Sequence, residues 1–167
     1  MGNTPQKHYH VTMTGVTPLL MHRDNIYFSE KVKTWHKDPN NKQLSVAGDD
    51  RTPAWTWIGC LYHDGRHLGM ASDNIMTMLR DAGVKVLTGK GKETYKKQTQ
   101  SGITLDEQQM ALYINDGVQV PIEPINELLK ESVDFNKHID KVKEMGFDLF
   151  VKRVVIGRNK HIRVRPI

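Results

Sequence analysis

The sequence predicts an α+β fold. Three observations carry that expectation. Apolar and polar residues alternate in short stretches that come in adjacent pairs. Turn signals join the pairs, among them Asp64-Gly65, Asn115-Asp116-Gly117 and the run from Gly157 to Lys160. Helical stretches fall between pairs in no regular β-α-β order. Strands joined by tight turns are antiparallel, which favours α+β over a parallel doubly wound sheet. At 167 residues, 38% of them hydrophobic, the chain is expected to form one domain over residues 1–167.

The elements follow in order. Tyr9, Val11 and Met13 alternate with His8, His10, Thr12 and Thr14, the period of a strand within residues 8–22. Gly15 breaks the pattern, and Thr17-Pro18 keeps the next apolar piece extended. Over residues 28–37, Phe28, Val32 and Trp35 share one helical face. Residues 36–54 are dense in Asp, Asn, Gly and Pro and predict a mobile insertion. Residues 55–70 read as a strand, a turn at Asp64-Gly65 and a short returning strand, with Trp55, Trp57 and Tyr62 as the aromatic residues of that stretch.

A helix follows, with Ser72 placed as its N-cap and Asp73 at its positive end. Ile75, Met78, Leu79 and Ala82 form its apolar face and Gly83 its stop. A strand opening at Val84 runs into a basic loop over 88–102. Residues 111–122 predict a hairpin turning at Asn115-Asp116-Gly117. Residues 123–132 and 134–145 read as two helices, the second ending at Gly146. Residues 148–156 and 161–167 form a last hairpin around residues 157–160.

Charge is distributed unevenly. The net charge is +5, yet from Val151 onward Lys152, Arg153, Arg158, Lys160, Arg163 and Arg165 meet no carboxylate. Residues 84–102 hold Lys85, Lys90, Lys92, Lys96 and Lys97 against Glu93 alone. Such concentration points to an anionic partner rather than to general solubility. No apolar run approaches the ~18 residues of a membrane span, and no signal-peptide apolar region opens the sequence. A single cysteine, Cys60, suits a reducing compartment, so a cytoplasmic protein with no membrane partner is expected.

In the terminal strand, Ile162 and Val164 alternate with His161, Arg163 and Arg165, so the two sets lie on opposite faces. One face can pack on a core while the other presents guanidinium groups ~7 Å apart, shaped to fork onto phosphates. The alternative is an edge strand that uses charge against aggregation. Lys90, Lys92, Lys96 and Lys97 around Tyr95 suit a loop that holds phosphates and stacks a base. Trp55 is a second stacking candidate, although core packing suits most tryptophans.

Metal and catalytic signals are weaker. Cys60, His63 and His67 give C-x2-H-x3-H without the remaining zinc ligands. Asp49 and Asp50 form a candidate cation pair, and His22-Arg23-Asp24 follows the first strand without a partner base. No cofactor, metal or catalytic residue is expected.

The order of these elements resembles the repeat-associated RAMP superfamily, whose members include backbone subunits of CRISPR effector complexes. The residues that carry the resemblance are the first strand running into Gly15-Val16-Thr17-Pro18-Leu19-Leu20, the long insertion, the helix SDNIMTMLRDAG, the Gly/Lys loop and the late basic strand. It covers residues 8–122 and the terminal strand. It implies an RRM-like (ferredoxin-like) core that polymerises along a guide RNA, a role in antiviral defence, and an insertion that projects as a thumb. By the same analogy His22, Arg23 and the 90–97 loop would grip RNA.

The expectation is therefore an RRM-like protein, not an enzyme, that binds single-stranded RNA or ssDNA. It would act as a homo-oligomer or as a subunit of a ribonucleoprotein complex. Arg158, Lys160, His161, Arg163 and Arg165 would hold phosphates. The rivals are a ribonuclease using His22 or the Asp49-Asp50 pair, and a mobile-element protein that meets an acidic protein surface.

Overall fold

The computed structural model describes residues 7–114 and 117–167. They form a mixed α+β chain of five α-helices and three antiparallel strand pairs. Helix α1 spans Ile26–Lys37 and is capped by Asn25, whose side chain accepts from the Phe28 amide. It packs Phe28, Val32 and Trp35 against the core. Strand β1 (Gly69–Ala71) pairs with β2 (Gln109–Ala111), and β3 (Tyr113–Ile114) with β4 (Val118–Gln119). The expected turn residues Asn115 and Asp116 lie outside the described residues.

Helix α2 spans Ser72–Lys85 and α3 spans Lys96–Ser101. Helices α4 (Glu123–Glu127) and α5 (Phe135–Glu144) precede the long hairpin of β5 (Leu149–Ile156) and β6 (Asn159–Pro166). Gly157 turns that hairpin at φ 63°, a conformation glycine adopts without a Cβ penalty. No helix among the described residues is long and apolar enough to cross a membrane.

The core joins the 55–61 segment, residues 120–128, α5 and the foot of the hairpin. Trp57, Leu61, Val120, Ile125, Val142 and Val164 are almost fully buried there. Buried His138 accepts from the Trp57 indole N–H at Nδ1 (3.1 Å), and its Nε2–H donates to the Glu131 carbonyl (2.9 Å). Burial pushes the imidazole pKa down, which matches this neutral tautomer.

Several expectations are corrected. Residues 8–14 have strand periodicity but no strand partner among the described residues, and Tyr9, Val11 and Met13 stand exposed. Residues 56–60 form a 3-10 turn rather than a strand. A Cβ on Gly59 would collide with the Phe28 ring, so α1 packs directly on that turn. Ser72 is not the N-cap but the first helical residue, and its hydroxyl donates to the Glu107 carbonyl. Gly83 does not stop α2. It lies inside the helix, where a Cβ would collide with Thr99 Oγ1, and its missing side chain lets α3 dock. Much of the expected 88–102 loop is therefore a tight turn, bridged at Leu87 and Thr94, followed by α3.

Candidate nucleic-acid interface

The β5–β6 register sets the faces of the hairpin. Phe150, Lys152 and Val154 oppose Arg165, Arg163 and His161 on one face, and Val151, Arg153 and Val155 oppose Val164, Ile162 and Lys160 on the other. Val164 anchors its face in the core, as the alternation predicts. The tip is solvated on both faces: every residue from Val155 to Lys160 is exposed.

The insertion expected to project is folded onto β6 instead. Ile162 donates to the Gly48 carbonyl and accepts from the Asp50 amide, at 2.8 and 3.0 Å. Asp50, 8% exposed, then places its carboxylate between two guanidinium groups, Arg163 Nη1 at 2.7 Å and Arg165 Nη1 at 2.8 Å. It also accepts from the Val164 amide. Arg163 and Arg165 thus do not form a free cationic row, because a carboxylate more than a hundred residues upstream already pairs with both.

His22 and Arg165, two residues chosen independently from the sequence, meet here: Arg165 Nη2 donates to His22 Nε2 at 3.2 Å. Arg23 follows, its amide donating to the Cys60 carbonyl. Burial pushes the Cys60 thiol pKa up, with Arg165 pulling the other way. His161 is half-buried against Gly48, its Nδ1 enclosed without a hydrogen-bond partner among the described residues.

Lys152, Arg153, Arg158 and Lys160 are exposed and enter no ion pair among the described residues. Lys152 and Arg153 lie outside the site expected from the sequence. Their signal was the acid-free composition from Val151 onward, which outweighs the position of the terminal strand alone.

Trp55 is corrected as a stacking residue. It is 3% exposed, packed edge-on to Phe28 at 5.4 Å and covered by the Lys31 ammonium. Tyr95 remains accessible at 42%, beside exposed Lys90, Lys92, Lys96 and Lys97. That second basic segment is held by α3 on α2, whereas β6 rests on the 56–60 turn, so different elements position the two groups.

Asp49 turns to a different arginine from the two that Asp50 holds. It binds Arg51 at 2.7 Å, and although burial raises its pKa, the Arg51 hydrogen bonds bring it down overall. No group of three or more His, Cys, Asp or Glu side chains among the described residues could hold a metal ion, the Cys60, His63 and His67 set included. Comparison of the chain with protein-family models, with curated proteins and with solved structures finds no match.

Proposed function

We propose that the protein binds single-stranded nucleic acid, RNA in the first place, through the β5–β6 hairpin. One observation carries the reading: a two-stranded ribbon with no carboxylate of its own exposes four cations, Lys152, Arg153, Arg158 and Lys160, that no acid neutralises among the described residues. Arg163 and Arg165 brace the ribbon through Asp50, and Arg163 keeps a third of its side chain in water as a further phosphate contact. Phe150, 43% exposed beside Arg165, offers a face for a base, as does Tyr95 in the second basic segment.

The RRM-like, RAMP-related architecture and assembly along the strand belong to the same proposal, supported by the helix over Ser72–Lys85, the late basic strand and the antiparallel pairs. So does a cytoplasmic setting, supported by the single cysteine.

The test is fluorescence anisotropy with a labelled strand of about 30 nucleotides, as RNA and as DNA, across a salt series. Binding that weakens steeply with salt supports the reading. Affinity that is absent or insensitive to salt overturns it. Incubation with Mg²⁺ in the same series separates binding from cleavage: an intact strand rejects the ribonuclease.

A further inference from the structure

The two long edges of the terminal hairpin differ. Asp148 and Ile167 exchange backbone hydrogen bonds, which fixes the phase of the ladder. Counting from them, Ile162, Val164 and Pro166 direct their backbone groups outward from β6, and Val151, Arg153 and Val155 outward from β5. The β6 edge is covered: Ile162 by Gly48 and Asp50, the Val164 amide by the Asp50 carboxylate, and the Pro166 carbonyl by the Met21 amide. On β5, the outward groups of Val151, Arg153 and Val155 have no backbone partner among the described residues. Val151 and Val155 are 42% and 69% exposed.

A long open edge rich in β-branched residues is a template for another strand. The same chain holds a segment with strand periodicity and no strand partner among the described residues. Residues 8–14 keep the period of two, and Tyr9, Val11 and Met13 are 79%, 69% and 51% exposed. Seven residues span ~24 Å as a strand, matching the open edge from Phe150 to Ile156.

Charge selects this occupant over a second β5. Antiparallel pairing of β5 with its own copy, centred on the open edge, would bring Arg153 against the same arginine of the other copy, which is destabilising. Residues 8–14 contain no Lys, Arg, Asp or Glu.

The geometry points to strand donation between copies: residues 8–14 of one molecule add to the β5 edge of the next. The contact is heterologous, since donor and acceptor are different surfaces, so it propagates head to tail unless the rotation closes a ring. This deepens the assembly within the proposed function and is tested without nucleic acid, so that either can fail alone.

The experiment uses full-length protein freed of nucleic acid by nuclease and high salt, followed by light scattering across concentration. Wild type is expected to associate. Val11→Pro removes the donor strand and Arg153→Pro the acceptor edge. The Arg153 amide points away from β6, so that second change costs no ladder bond. Each variant alone should lose chain growth, and an equimolar mixture should recover pairs of one intact donor and one intact edge. Circular dichroism confirms that each variant is folded. Wild type that stays monomeric, Val11→Pro protein that assembles like wild type, or a mixture that fails to pair overturns the inference.

Discussion

Replacing Asp50 by Ala removes the carboxylate that joins the 48–50 segment to β6. Three contacts go together: the bonds to Arg163 and Arg165, and the acceptor of the Val164 amide. Removing one partner of a buried ion pair costs about 3–5 kcal/mol, because the other charge is left unpaired. Arg163 is 34% exposed and recovers much of its loss from water, whereas Arg165 at 18% and the Val164 amide do not. The upper part of that range therefore drops out, leaving about 3 kcal/mol. For a chain of this size that is a fall in Tm of about 6–12 °C.

Thermal melts and urea titration measure it. A loss below about 1 kcal/mol would place the pair among ordinary surface salt bridges and refute the reasoning. The converse change makes the same point. Arg163→Gln with Arg165→Gln strands Asp50 and should destabilise comparably, although strand alternation alone would allow both arginines to be removed at no cost to the fold.

Other predictions concern pH and packing. Burial lowers the His138 pKa, so the unfolded chain takes up the proton first. Stability is fully present above ~6.5, declines as pH falls below that value, and the slope flattens in His138→Gln; urea midpoints between pH 7.5 and 5 read it. The Asp134 and Val133 amides, with Lys137, hold the Glu131 carboxyl at about 2. Its contribution is therefore present above its ordinary value and lost as pH falls towards 2, and Glu131→Gln should flatten that acid limb in the same titration. Gly83→Ala gains up to about 1 kcal/mol of helix propensity but drives its Cβ into Thr99, at a cost of about 1–3 kcal/mol. The substitution should destabilise wild type, and less so a Thr99→Ala background, which removes Oγ1 and Cγ2 but keeps the Cβ at 2.9 Å; Tm values would show the difference.

Local signals located what local physics builds. The helical periodicities of residues 28–37 and 134–145 fall on α1 and α5, and Gly157 turns the terminal hairpin close to its expected place. What failed depended on distant partners. Trp55 and Trp57 alternate like strand residues, but the close approach of Phe28 to Gly59 accompanies a tight turn that buries both. Residues 8–14 have the strand period and no described edge to complete it. At the interface, the acid-free composition found the cationic ribbon, and the first-strand and last-strand candidates His22 and Arg165 do meet. No sequence pattern announced Asp50 as their neighbour, because polar residues rich in turn formers read as a solvated insertion whether or not one of them is buried.

In the proposed function, the exposed hairpin cations hold phosphates. The direct measurement is the slope of log K against log salt for a labelled single strand, comparing wild type with Lys152→Gln/Arg153→Gln/Arg158→Gln/Lys160→Gln, each protein first shown to melt normally. Four lost phosphate contacts should reduce the slope by about 3, at about 0.7 per contact. A quadruple variant that keeps the wild-type slope and affinity would contradict the account.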